Sequence, residues 1–279
     1  MRYFISLSFN GAPFCGWQIQ DNAISVQELV QNALSTLLKE EIKVTGAGRT
    51  DTGVNAINYI AHFDTTQPIA FEPAFFCYKL NAILPKEITI LAISRVKNDA
   101  HARFDADLRC YRYFIHTYKD PFAQQFSHFV SARNLDIDAM NRAAQYFLGQ
   151  QDFSSLEKLR GGSSSSICTV TKAVWMPLQP DMELQTEPAS GSPSANIGNS
   201  PYSPVHRYVF EVRANRFLRN MVRAMVGSLL EVGTGRREPE WIQEMLSAHN
   251  RCAAGTSVPG NALFLCGIHY PYEIHWNQL

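Results

Sequence analysis

Apolar and polar residues alternate with a period of two from Tyr3 to Phe9, the signature of a strand with one buried face. A helical period follows: Val26, Leu29, Val30, Ala33, Leu34 and Leu37 share one stripe and predict a helix over 26–38. Ser25 suits its N-cap, and Glu28 three positions on completes a capping box. Strands are predicted over 57–63 and 88–96, with a helical segment over 74–84 between them. The pattern then restarts. A strand over 109–117 leads to a helix over 137–148 ended by Gly149, and strands follow over 169–176 and 207–213. A long helix is predicted over 216–232, with Asn215 as its N-cap.

The tetrapeptide Arg2-Tyr3-Phe4-Ile5 returns as Arg112-Tyr113-Phe114-Ile115, each copy opening its half. Strand-then-helix in both halves predicts a pseudo-duplicated α+β fold. The break is placed near residue 105, dividing the chain into subdomains 1–105 and 106–279. Between Pro180 and Pro204 the composition shifts to five prolines and five serines, with no Lys or Arg. That stretch is read as a surface insertion joining two strands.

Composition narrows the class without naming it. Lys+Arg and Asp+Glu balance at 25 each, so the total charge of the 279 residues points to no polyanionic partner. The balance is local, however: residues 207–237 hold seven arginines against Glu211 and Glu231. Six scattered cysteines form no C-x-x-C pair, and eight histidines form no H-E-x-x-H. With no continuous signal-peptide core and no apolar run near 18 residues, the expectation is a soluble, cytoplasmic protein without metal or cofactor.

The most informative stretch is Gly46-Ala47-Gly48-Arg49-Thr50-Asp51-Thr52-Gly53. Three glycines allow backbone conformations or approaches closed to other residues, as a loop presenting Asp51 at a cleft requires. Arg49 would favour the ionised carboxylate or grip a phosphate. The same residues also suit a Gly-rich turn whose Asp bonds its own backbone. Asp51-Thr52-Gly53 is in addition the tripeptide of aspartic proteases, but an arginine so near disfavours the shared proton of such a dyad. Further on, period two places Arg109, Tyr111 and Tyr113 on one strand face, able to stack a base or to be ordinary core. On the predicted helix 216–232, Arg216, Arg219 and Arg223 form one stripe near the N-terminus. Cations are mildly unfavourable there, and a phosphate-bearing partner would explain them.

In order along the chain these segments resemble the TruA family of tRNA pseudouridine synthases. The resemblance runs through Phe14-Cys15-Gly16-Trp17-Gln18, Gly48-Arg49-Thr50-Asp51, Asn81-Ala82-Ile83-Leu84-Pro85 and His101-Ala102-Arg103-Phe104. It continues in Tyr111-Arg112-Tyr113, Leu148-Gly149 with Asp152-Phe153, and Phe217-Leu218-Arg219-Asn220-Met221-Val222-Arg223. It implies a homodimer of α+β subdomains, with mixed, mainly antiparallel sheets flanked by helices around a basic cleft. It further implies isomerisation of uridine to pseudouridine at positions 38, 39 and 40 of the tRNA anticodon stem-loop, without metal or cofactor. Asp51 matches the family's essential aspartate, Arg49 the arginine beside it, Tyr111 the tyrosine packed on the target base, and Arg223 the arginine that pairs with the aspartate. Arg103, Arg216 and Arg219 are taken as further substrate-binding residues. Thr52, Asn55 and Thr171 depart from the family pattern, and 259–263 is a loosened form of its closing motif. A carboxylate in this role would attack the sugar C1′, add to C6 of the base or remove a ribose proton; the sequence leaves all three open. A non-catalytic RNA-binding module and an aspartic-type hydrolase are the competing classes.

Overall fold

The computed structural model describes residues 1–132, 135–158, 165–178 and 206–278. The Pro/Ser-rich stretch at 180–204 lies outside them. The first half builds β1 (Arg2–Phe9), α1 (Val26–Leu38), β2 (Val44–Gly46), β3 (Asn55–Asp64), α2 (Pro73–Ile83) and β4 (Ile88–Arg95). The second builds β5 (Leu108–His116), β6 (His128–Phe129), α3 (Ile137–Gln145), β7 (Gly149–Asp152), β8 (Ile167–Pro177) and β9 (Arg207–Ala214). It closes with α4 (Met221–Gly233), α5 (Trp241–Ser247), β10 (Leu263–His269) and β11 (Asn277–Gln278).

The helices start and stop for local reasons. Ser25 accepts the Glu28 N–H at 3.3 Å and α1 ends at Lys39 in the left-handed region, so the periodicity, cap and stop coincide. Glu72 caps α2 through the Phe75 N–H, with Pro73 in the first turn, where its missing N–H has no helical partner to lose. Asp136 caps α3, which ends at Gln145 rather than at 148; Gly149, at φ +91°, opens β7 instead.

Among the described residues all the strands join one mixed sheet of eleven, ordered β11-β4-β1-β3-β10-β5-β9-β8-β7, with β2 paired to β3 and β6 to β5. Its duplication is explicit. β1 is flanked by β3 and β4 as β5 is flanked by β9 and β10, all antiparallel. β2 pairs with β3 as β8 pairs with β9. The repeated tetrapeptide occupies the central strand of each copy. The copies lie side by side, and the seam is the parallel pairing of β10 with β3 at Phe264–Asn55 and Leu265–Ala56.

Of the buried clusters the two largest centre on β1, β3, α1 and α2, and on β5, β9, α3 and α4. The seam stitches them together. Leu263 belongs to the second cluster, Leu265 two residues on belongs to the first, and Tyr111 packs against both. No helix among the described residues is long and apolar enough to cross a membrane.

On the sheet's other face, Glu211 of β9 is buried beneath three half-exposed cations. Lys172 and Arg213 reach one carboxylate oxygen at 2.8 Å, and Arg112 reaches the other at 2.9 Å. Burial alone would raise the carboxyl pKa; the Lys172 and Arg112 hydrogen bonds outweigh it and hold the group at about 2. Glu211→Ala removes the anion and leaves three cations crowded together. Folding stability is expected to fall by about 3 kcal/mol in chemical denaturation, the usual loss when one partner of a buried ion cluster is deleted.

Candidate active site

A cleft of about 1610 Å³ opens over the seam. Its floor is apolar, built from Tyr111 of β5 with Leu263, Leu265 and Ile268 of β10. Its walls are cationic: Arg49, Arg103, Arg109, Lys158, Arg216, Arg219, Arg223 and Arg251 face only two carboxylates, Asp51 and Asp107. In a chain of zero net charge this is a concentrated field, of the kind that gathers a polyanion.

Asp51 stands in the loop between β2 and β3, where β3 changes neighbours. The far end of β3 pairs with β2 at Ala61–Phe63, and its near end pairs with β10 at Asn55 and Ala56. The loop is held on a platform. Trp17 stacks on Tyr59 at 4.2 Å, the Tyr59 hydroxyl donates to the Gly48 carbonyl, and Trp17 N–H donates to the Thr50 carbonyl at 3.4 Å. Gly46 is required by this packing, since a Cβ there would lie 2.1 Å from the Tyr59 hydroxyl. Gly53 is required by its φ of +77°. Gly48 has neither constraint: space is open around it and its φ is ordinary.

The carboxylate of Asp51 meets arginines from the other half of the chain. Arg223 Nη1 lies 3.3 Å from one oxygen and Arg219 Nε 3.8 Å from the other. Arg223 is itself held, donating from Nε to the Val258 carbonyl at 2.7 Å while its own carbonyl accepts the Val258 N–H at 3.2 Å. Asp51 and Arg223 are both mostly buried, so their attraction is screened less than that of an exposed pair. Tyr111 lies near enough for Asp51 to act on its hydroxyl. Burial first, and then that carboxylate, push the Tyr111 pKa well up and keep the hydroxyl protonated. Phe217 meets the Tyr111 ring edge-on at 5.0 Å.

All seven residues singled out from the sequence line this one cleft: Asp51, Arg49, Arg223, Tyr111, Arg103, Arg216 and Arg219. One of the local arguments needs correction. Helix α4 begins at Met221, not 216, so Arg216 and Arg219 lie on the preceding loop and form no helical stripe with Arg223. The cause is backbone pairing. Asn215 extends the β8–β9 pairing, its N–H donating to the Thr169 carbonyl at 3.1 Å and its side-chain Oδ1 accepting the Thr169 N–H at 2.8 Å, and Asn220 sits in the left-handed region at φ 68°, where a helix cannot run through it. Of the two readings left open for the strand face of Arg109, Tyr111 and Tyr113, Tyr113 takes the core one: it is fully buried and donates to the Pro259 carbonyl at 3.0 Å. Arg49 is exposed in the cleft and forms no ion pair with Asp51 among the described residues.

Two residues noted in the sequence shape the site through contacts that the sequence did not indicate. Asn55 accepts from Gly11 N–H at 2.8 Å and donates to the Asn261 carbonyl at 2.7 Å, tying the end of the Asp51 loop to the segment before β10. Arg109 is a clamp, donating at 2.6 Å to each of the Ala106 and Asn215 carbonyls and at 2.7 Å to that of Arg103. Only long-range pairing reveals such contacts.

This combination of a duplicated mixed sheet, a basic cleft and one carboxylate held by arginines suits a protein that acts on RNA. A family model described as tRNA pseudouridine synthase matches residues 143–271. The tRNA pseudouridine synthase A of Bacteroides fragilis is 42% identical over 274 residues, covering 98% of each chain. That of Bacteroides thetaiotaomicron is 42% identical, covering 98% of this chain and 92% of the relative. That of Porphyromonas gingivalis is 39% identical, covering 98% of both. The chain belongs to the tRNA pseudouridine synthase A family.

The cleft wall at 101–105 hangs on His62 of β3, whose Nδ1 accepts the Ala102 N–H at 3.1 Å. Burial, then the Arg2 charge, lower the His62 pKa to about 4, so the ring is neutral at pH 7 and its acceptor nitrogen is free. The unfolded chain binds this proton near pH 6.5 and the folded chain only near 4. The contribution is therefore complete above pH 6.5 and is lost as pH falls through 4, a loss on the order of 3 kcal/mol. Denaturation midpoints measured between pH 7 and 4 should fall accordingly, with a shallower fall in His62→Asn.

Proposed function

We propose that this chain isomerises uridine to pseudouridine in tRNA, with Asp51 as the reacting carboxylate. The observation that carries the reading is the Asp51 carboxylate, mostly buried and paired with Arg223 over an apolar floor, in a cleft whose walls are predominantly cationic. In the reaction the C1′–N1 bond breaks, the uracil turns, and a C1′–C5 bond forms. C5 gives up its proton and N1 takes one up, so the change is redox-neutral and needs no group donor.

Each element of the site has a task in that sequence. The cations hold the phosphates on either side of the target nucleotide. The target base must leave its stack, which costs a few kcal/mol, and the Tyr111 ring offers a face to receive it. Arg223 holds the Asp51 carboxylate in position, and its own bond to Val258 fixes the pair. Arg49, free of ion pairs among the described residues, is available to the RNA as the nucleotide swings out. The substrate we assign is the anticodon stem-loop, and the acting form a cytoplasmic homodimer. The exposed Phe122, Phe126 and Phe129 after β5 offer apolar surface for a second copy. We also divide the chain into subdomains at about residue 105, a reading supported by one large buried cluster being drawn mainly from each side of it.

Asp51→Ala should lower release of tritium from tRNA carrying 5-tritiated uridine by on the order of 10³-fold or more, while tRNA affinity changes little. Release near that of the unaltered protein would overturn the assignment of Asp51. No release by the unaltered protein from any tRNA would leave an RNA-binding module instead. Arg216→Ala and Arg219→Ala should each weaken tRNA binding and reduce its slope against log salt by about one, read by filter binding across a salt series.

A further inference from the structure

The wall of the cleft carries an aromatic side chain to which no role has yet been assigned. Phe104 is 74% exposed, yet it lines the same cavity as Asp51 and Tyr111. A lone exposed apolar side chain is unremarkable on a protein surface. This one is mounted. His101 stacks against it with ring centroids 4.2 Å apart, and buried His62 meets His101 edge-on at 4.6 Å. The three rings form a column that starts in the sheet and ends in the cleft.

The loop beneath the ring is held at every point. His101 Nδ1 accepts the backbone N–H of both Arg103 and Phe104, at 3.1 and 3.2 Å. The Asp105 carboxylate accepts from the His101 N–H at 2.7 Å and from the Tyr272 hydroxyl at 2.8 Å. Arg109 bonds the Arg103 carbonyl at 2.7 Å and reaches the carbonyl of Ala47, in the Asp51 loop, at 3.4 Å. The wall is thereby fixed to the strand that carries Tyr111 and to the loop that carries Asp51. The Arg103 guanidinium lies 5.6 Å from the Phe104 centroid, so a cation accompanies the ring.

We propose that Phe104 is a stacking platform for an unpaired base of the bound tRNA, distinct from the base received by Tyr111. Extruding a uridine breaks the stack on both sides of it. Unstacked RNA bases are characteristically taken up on aromatic faces with an arginine close by. A ring already immobilised before binding loses little freedom when a base settles on it. The chemistry assigned is a nucleobase π-face, and Arg103 is placed to take a phosphate of the same strand. The proposal rests on the tRNA reading and sharpens it by naming a second base contact.

The test compares Phe104→Leu and Phe104→Trp with the unaltered protein in three measurements: tritium release, thermal midpoint, and fluorescence of tRNA carrying 2-aminopurine in the anticodon loop. Phe104→Leu should raise KM for tRNA by about tenfold with little change in kcat, and should lose the quenching of 2-aminopurine seen on binding. Phe104→Trp should keep both within about twofold. Thermal midpoints should match, because the ring is in solvent. Phe104→Leu within twofold of an active unaltered protein would overturn the stacking role, as would a loss that tracks a fall in thermal midpoint. An unaltered protein that releases no tritium would overturn the isomerase reading alone. In that event quenching that Phe104→Leu abolishes would sustain the platform, and absence of quenching would overturn it too.

Discussion

The parallel pairing of β10 with β3 spans only two residue pairs, and the site depends on it. Parallel strands cannot be joined by a tight turn, so this contact requires a long excursion of chain, here the whole second half. It sets the two copies of the duplicated unit edge to edge. It also determines what Asp51 faces, because the loop bearing it leaves β2 and enters β3 where the seam begins. Without the seam, Asp51 and Arg223, 172 positions apart, would have no reason to meet.

The seam also explains why the cleft is both apolar at its floor and charged at its rim. Tyr111, Leu263 and Leu265 come from adjacent strands and face the same way, filling the join between the two buried clusters. Backbone at the cleft edge is irregular, in the loops 46–53, 101–105 and 215–220; Arg49, Arg103, Arg216 and Arg219 stand on these loops, Arg223 in the first turn of α4 and Arg109 at the start of β5. Several of their guanidinium groups are satisfied by carbonyls of neighbouring loops. Arg109 and Arg223 thus brace the site mechanically as well as adding charge. Groups positioned in this way need little rearrangement when a reacting nucleotide arrives.

Much of this architecture was legible in the order of residues. Local signals are strong where one short segment settles its own state. Ser25 and the apolar stripe after it set the limits of α1, and the alternation in 3–9 and 109–117 marks the central strand of each copy. The repeated tetrapeptide marks the duplication itself. Asp51, Tyr111 and the arginines could be nominated because their residue types are costly or odd in a bland surface loop, and the family resemblance assigned them a reaction.

What the sequence could not carry is anything decided by a distant partner. The helix expected from 216 starts at 221, because Asn215 completes a ladder with Thr169, and the ladder outweighs helical periodicity over five residues. β10, which makes the seam, escaped notice because its apolar run is short and its partners lie about 150 and 210 positions away. Arg109 reads only as one member of a strand face and turns out to be a clamp; Phe104 reads as one letter of a motif and stands as a mounted ring at the cleft wall. Sequence alone determined the elements, their duplication and the chemical inventory, since these follow from local periodicity and residue type. Tertiary structure decided which charge meets which carboxylate, because an ion pair depends on distance in space, which separation along the chain does not constrain.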